Sequence, residues 1–168
     1  MVTKLFDEQQ VERRVRELAA EVAKSFSGEF TVVGILKGSF VFVADLVRAL
    51  DREGLSPRIE FIRLSSYRTS QNRSDLRLVG PPPDGMLGQV LLVDDIADTG
   101  WSLRYATDLL RPQALEIQTC TLIDKPRRRE VEVTPDFVGF TVDDVFVVGY
   151  GIDYAESGRH RPYIGVVE

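Results

Sequence analysis

Residues Val90-Leu91-Leu92-Val93-Asp94-Asp95-Ile96-Ala97-Asp98-Thr99-Gly100-Trp101-Ser102-Leu103, written VLLVDDIADTGWSL, run from four apolar residues straight into two adjacent carboxylates. The apolar run predicts a buried strand over Val90–Val93, with Asp94 and Asp95 at its carboxyl end. Asp98-Thr99-Gly100-Trp101-Ser102 then turns into a helix over Ser102–Leu110, stopped by Pro112. Free backbone N–H groups at a helix start, two hydroxyls and a glycine that permits close approach make a phosphate cradle. Phosphate and carboxylates on one group would repel each other, so the acids need a different partner. An ionised carboxylate only accepts hydrogen bonds, and paired sugar hydroxyls donate them. A sugar phosphate, held by its phosphate in the loop and by its diol on Asp94 and Asp95, satisfies both. Helix capping by Asp98 or Thr99 with the remaining acids solvated is the plainer alternative, and it leaves most of the acids without a task.

Outward from this stretch, strands alternate with helices. Val11, Val15, Leu18 and Val22 recur at helical spacing within Asp7–Ser27, with Asp7 as N-cap. FTVVGIL (Phe30–Leu36) reads as a buried strand, and Phe40–Leu50 as a helix with Ser39 as N-cap. RIEFIRL (Arg58–Leu64) alternates as a strand, and polar Ser65–Asp75 reads as a loop. Leu76–Gly80 is a short strand and PPPDG a turn. ALEIQTCTLID (Ala114–Asp124), DFVGFTV (Asp136–Val142) and VFVVGYGI (Val145–Ile152) complete the set, the last two parted by Asp143-Asp144. This alternation predicts a largely parallel sheet covered on both faces. Ligands bind such sheets at the loops after the strands, which here begin at Leu36, Leu64, Val93, Asp124 and Val148.

A chain of 168 residues, 43% hydrophobic and 28% charged, fits one globular domain spanning 1–168. A net charge of −5 gives nucleic acid no bulk attraction. No apolar run is long enough to span a bilayer, and the N-terminus lacks a signal-peptide apolar stretch. The single cysteine, Cys120, lies in a strand and reads as core, so a cytoplasmic protein is expected.

VLLVDDIADTGWSL resembles the phosphoribosyl pyrophosphate (PRPP) binding motif of type I phosphoribosyltransferases. GILKGSFVFVADLVR (Gly34–Arg48), SSYRTS (Ser65–Ser70), LIDKPRRR (Leu122–Arg129) and the segment Asp136–Val167 are similar, in the same order, to hypoxanthine-guanine phosphoribosyltransferases of the bacterial kind. The resemblance implies an α/β type I phosphoribosyltransferase fold, with a mostly parallel sheet flanked by helices and a small hood built from terminal segments. It implies purine salvage: PRPP and a 6-oxopurine, hypoxanthine or guanine, give IMP or GMP and pyrophosphate with Mg²⁺. The expected assembly is a homodimer or homotetramer, with neither nucleic acid nor membrane as partner.

The same resemblance distributes roles. Asp98, Thr99, Gly100, Trp101 and Ser102 would hold the 5′-phosphate, Asp94 and Asp95 the ribose hydroxyls directly or through metal, and Asp98 would also be the general base near purine N7. Lys37 and Gly38, in a loop whose Leu36–Lys37 peptide can be cis in the family, would meet pyrophosphate with Arg159; spacing alone leaves Arg161 as an alternative. Lys125 would donate to the 6-oxo group, which disfavours adenine. Phe146 would stack on the purine and Ile152 cover its other face, with the backbone of Val147 and Asp153 at the pyrimidine edge. Asp153 would also be a Mg²⁺ ligand. A lid over about 65–75 would close through Ser66 and Tyr67 and exclude water from an oxocarbenium-like carbon.

Trp101 is bulky for the phosphate loop, and Ala97 is smaller than the aliphatic residue common there. His160 matches no catalytic position, and Arg127-Arg128-Arg129 reads as a solvated face. Two other functions compete: a xanthine-guanine-preferring transferase, and a regulatory protein that binds PRPP or nucleotide without turnover.

Overall fold

The chain's apolar residues sort into strands that alternate faces and helices that cover them. In the computed structural model, which describes residues 1–66 and 75–168, the elements are β1 (Val2–Phe6), α1 (Glu8–Ala23), β2 (Phe30–Leu36), α2 (Phe40–Arg52), β3 (Arg58–Ser66), β4 (Leu76–Val79), β5 (Gly88–Ala97), α3 (Trp101–Leu110), β6 (Ala114–Asp124), β7 (Phe137–Thr141), β8 (Val147–Val148) and β9 (Ile164–Val167). Six strands form one sheet in the order β4-β3-β2-β5-β6-β7. Every pair is parallel except β3 with β4, which forms an antiparallel edge. The chain winds outward from β2 to β3 and in the opposite direction from β5 to β6 and β7. The order therefore reverses between β2 and β5, where a crevice opens at the carboxyl ends of both strands.

Burial follows the strand period. Val32, Leu91 and Val93 face α1 and α2, while Val33, Ile35, Val90 and Leu92 face α3 through Leu103, Ala106 and Leu110. α1 buries Val11, Val15, Leu18, Ala19 and Val22 and opens with a capping box. In it Gln10 N donates to Asp7 Oδ1 at 2.9 Å and Asp7 N to Gln10 Oε1 at 2.8 Å. Cys120 is buried, as its strand position predicts.

β1 and β9, which the apolar pattern does not announce, pair antiparallel and with β8 form a second, three-stranded sheet from both chain termini. This is the hood that the family resemblance leads one to expect.

Several boundaries differ from the sequence reading. β5 runs to Ala97 rather than Val93, because it stays paired with β6 as far as Asp124. Backbone pairing overrides the poor strand propensity of Asp94 and Asp95. Ser65 and Ser66 belong to β3, where Ser66 sits opposite Leu76 of β4, rather than to a loop starting at Ser65. Tyr67 and most of the expected lid lie outside the described residues. VFVVGYGI contributes only Val147–Val148 as strand, because Gly149 (φ 106°), Tyr150 (φ 52°) and Gly151 (φ 93°) turn left-handed. Ser39 precedes α2 without capping it through its side chain: the hydroxyl donates back to Ile35 O at 2.6 Å.

Candidate active site

Three backbone segments meet at the crevice. The first is the end of β5, where Asp94 Oδ1 accepts from Asp95 N at 2.9 Å and Asp95 Oδ1 from Ile96 N at 2.8 Å. The second is Lys37-Gly38-Ser39 after β2, with a cis Leu36–Lys37 peptide. The third is Gly149–Asp153. A Cβ on Gly38 would lie 1.9 Å from Asp95 Oδ2, and one on Gly151 would lie 2.5 Å from Gly38 O. Only hydrogen fits at either place, so the two glycines let three loops stack directly.

The two acids differ in setting. Asp94 is only 6% exposed, and burial, reinforced by the neighbouring Asp95 charge, pushes its carboxyl well above the ordinary range. Burial also raises Asp95, opposed by the hydrogen bonds it accepts and by the Arg159 charge. A close carboxylate pair with so little cationic compensation is suited to ligands that bring donors or positive charge. Sugar hydroxyls and a divalent cation both qualify.

After β5 the chain forms the anion loop. Gly100 is the α3 N-cap, at φ 93° and with no side-chain capping bond. Neither Asp98 nor Thr99 caps the helix, which removes the plain capping alternative. The first N–H groups of α3 have no intrahelical acceptor and face outward from its start. Thr99, Trp101 and Ser102 line a cavity of about 550 Å³ together with Ser66, Leu76, Arg128 and Glu130. That volume suits part of a nucleotide-sized ligand. Trp101 is steered by its indole N–H, which donates to Glu130 Oε2 at 3.1 Å.

The arginine run is not a solvated face. Arg129 donates to the carbonyls of Val133 (2.9 Å), Ala97 (2.9 Å) and Asp98 (2.8 Å) and to Asp124 Oδ1 (2.5 Å), tying the anion loop to the end of β6. Its stem also crowds Gly100, where a Cβ would sit 2.9 Å from Arg129 Cδ. Arg128 Nε lies 2.6 Å from Asp98 Oδ1, and Arg128 Nη1 donates to Asp144 Oδ1 at 2.8 Å. Only Arg127 matches the expectation, pairing at the surface with Asp143. No periodicity or spacing marks Arg129 as a brace, since its partners come from β5, β6 and a loop.

On the far wall, Lys125 donates from Nζ to Val145 O at 2.6 Å, and burial lowers its pKa while the Asp98 charge raises it. An ammonium has three donors, so others remain for a carbonyl ligand. Phe146 is 63% exposed and forms a T-shaped pair with Tyr154, with ring centroids 6.1 Å apart. An exposed aromatic ring of this kind can stack on a planar ligand. Ile152 is packed in the core, and its backbone bonds with Gly149. Val147 is likewise buried, in register with Val166.

Arg159 reaches back to the crevice. Its Nη1 donates to Gly151 O at 2.8 Å, and Nη2 lies 3.0 Å from Asp153 Oδ1. Arg161 is engaged elsewhere, with Tyr163 Oη at 2.8 Å. Lys37 Nζ lies 2.7 Å from Glu156 Oε2. His160 shows no role in this cluster. Among the described residues no helix is long and apolar enough to cross a membrane.

Comparison with known proteins places this arrangement. Residues 1–155 match the family model for the phosphoribosyl transferase domain. The hypoxanthine-guanine phosphoribosyltransferase of Aquifex aeolicus is 44% identical, covering 98% of this chain and 93% of that protein. The hypoxanthine phosphoribosyltransferase of Haemophilus influenzae is also 44% identical, over 97% and 93% of the two chains. A crystal structure of a hypoxanthine-guanine phosphoribosyltransferase from Bacillus anthracis, with a HEPES molecule in its active site, superposes with a TM-score of 0.91 at 38% identity over 100% of both chains.

Proposed function

The chain belongs to the phosphoribosyl transferase family, and from that premise we propose that it is a purine salvage enzyme, acting as one unit over 1–168 in the cytoplasm. It transfers the 5-phosphoribosyl group of PRPP to hypoxanthine or guanine, giving IMP or GMP and pyrophosphate. The observation that carries this reading is the stacking of Asp95, Gly38 and Gly151 beside an anion loop, with Arg159 at hand. That arrangement offers a diol clamp between two anion sites.

In this reading the α3 N-terminus with Thr99 and Ser102 anchors the 5′-phosphate, and Asp94 and Asp95 hold the ribose hydroxyls. Lys37, the Gly38 amide and Arg159 receive pyrophosphate as it leaves. Lys125 donates to the 6-oxo oxygen, Phe146 stacks on the purine, and the backbone of Val147 and Asp153 meets its pyrimidine edge. Asp98 accepts the N7 proton, with Arg128 beside its Oδ1 and already bonded to Asp144. The lid, with Ser66 and Tyr67, excludes water during transfer.

Mg²⁺ fits this donor set. Magnesium takes one or two carboxylates and fills its shell with waters and phosphate oxygens. Among the described residues no cluster of three or more metal-ligating side chains occurs, so the ion would be shared between the substrate and Asp153, with Asp94 and Asp95 at the ribose. When bound it offsets charge on the departing pyrophosphate. Subunits are expected to assemble as a homodimer or homotetramer.

The test is nucleotide formation from PRPP and Mg²⁺ with hypoxanthine, guanine, xanthine and adenine supplied separately. IMP and GMP are expected. Product from xanthine and guanine without hypoxanthine would replace the base assignment, and folded protein that binds PRPP without turnover would replace the enzyme reading with a regulatory one.

A further inference from the structure

Lys37 and Arg159 are the two cations assigned to pyrophosphate, and both already face one carboxylate. Glu156 Oε2 lies 2.7 Å from Lys37 Nζ, and Glu156 Oε1 lies 3.5 Å from Arg159 Nη2. Its two oxygens are shared between the two cations, as a diphosphate's oxygens would be. The turn that presents this side chain is costly. Tyr154 and Ser157 exchange backbone bonds of 2.9 and 3.1 Å around Ala155 (φ 51°) and Glu156 (φ 61°). Two consecutive left-handed residues are the mark of a tight hairpin turn that ordinarily uses Asn-Gly. Here an alanine and a glutamate occupy it.

Asp153 and Glu156 differ in freedom. Asp153 is fixed, accepting from Glu156 N at 2.8 Å through Oδ2 and pairing with Arg159 at 3.0 Å through Oδ1. The Glu156 side chain is 70% exposed and, among the described residues, is held by the two cations alone. It is therefore able to swing away. The hydrogen bond from Lys37, with the Lys37 charge behind it, holds its carboxyl below the ordinary range.

We propose that Glu156 is an affinity-setting residue: an internal carboxylate that occupies the Lys37–Arg159 anion site and must be displaced whenever PRPP or pyrophosphate binds. This rests on the reading of that site given above. The displaced carboxylate weakens ground-state binding of the diphosphate and returns as pyrophosphate leaves, which favours release. An exposed ion pair is weak, so the effect is modest: removing it should tighten diphosphate binding by about two- to fivefold, and more at low ionic strength.

The test uses the full chain and its variants Glu156→Gln and Glu156→Gly, titrated calorimetrically with pyrophosphate and Mg²⁺. Initial rates give KM for PRPP and for base, and thermal melts confirm folding. Both variants should lower the Kd for pyrophosphate and the KM for PRPP by about two- to fivefold, with KM for base unchanged. Glycine should do so while relaxing the turn, which separates charge from backbone. A side chain that merely shaped the loop would weaken binding when replaced. Unchanged or weaker pyrophosphate binding in both variants, with wild type binding normally, would overturn the role of Glu156 alone. Wild type that binds no pyrophosphate would overturn the site assignment beneath it as well.

Discussion

Gly38→Ala isolates the closest contact in the crevice. A methyl group there would lie 1.9 Å from Asp95 Oδ2 and 2.4 Å from its Cγ, where real Cβ contacts essentially never fall under 3.0 Å. About 1.1 Å of separation must be found. Gly38 is outside the left-handed region, so alanine meets no backbone penalty and the clash acts alone. Neither side yields freely: Asp95 Oδ1 is bonded to Ile96 N at 2.8 Å, and Gly38 O is already backed by Gly151. Overpacking of this kind costs about 1–3 kcal/mol. A shift of about 1 Å in a positioning loop costs on the order of 10²-fold in rate. Urea denaturation and kcat/KM for PRPP should show both losses. The decisive measurement is a double-mutant cycle with Asp95→Ala, which deletes the clashing atoms. In that background Gly38→Ala should cost little stability, a coupling of about 1–3 kcal/mol. If Gly38→Ala costs the same with and without the Asp95 carboxylate, or costs nothing at all, the packing of these loops is not as described.

Three further outcomes follow from the site. Arg129→Met should lose about 3–5 kcal/mol in chemical denaturation, because the buried Asp124 carboxylate loses its Arg129 partner and the carbonyls of Val133 and Asp98 lose the Arg129 donor, Ala97 O keeping Lys125 N; Arg129→Lys should recover only part, lacking the fork. Asp94→Asn should abolish transfer yet stabilise the protein at neutral pH, read as a higher urea midpoint than wild type. The folded-state pKa of Asp94 is raised, so its native form binds a proton more tightly than the unfolded chain. Its contribution is present at low pH and lost as pH rises from the unfolded carboxylate value through the raised folded one, and the Asn variant should show a flatter stability profile over that range. Lys125→Met should cut kcat/KM for 6-oxopurines by about 10- to 100-fold, the worth of one charged hydrogen bond, with a smaller change in KM for PRPP; equal loss for both substrates would remove Lys125 from the base pocket.

The sequence by itself determined what is encoded in neighbours along the chain. Period-two and period-3.6 burial in FTVVGIL, VLLV and the Val11–Val22 helix announces the layers, because each apolar side chain must face a core wherever the chain puts it. The anion loop is legible for a similar reason: Asp94 to Ser102 are contiguous, and a strand running into a helix start fixes their backbone geometry locally. Tertiary structure alone decided the rest. β5 continues through two aspartates because β6 supplies partners, and β1 becomes a strand only when β9 returns to it. Gly38 must be glycine because of Asp95, and Gly151 because of Gly38 O, each partner far away in sequence. Arg129, which patterning places on a solvated face, becomes a brace only when the ends of β5 and β6 converge around it. Ile152 is buried only because segments distant in sequence pack over it. Glu156 meets Lys37 only because the 149–159 segment folds back over the β2 loop. Such contacts depend on approach through space between segments whose own local preferences are silent about it, so no window along the chain carries their signature.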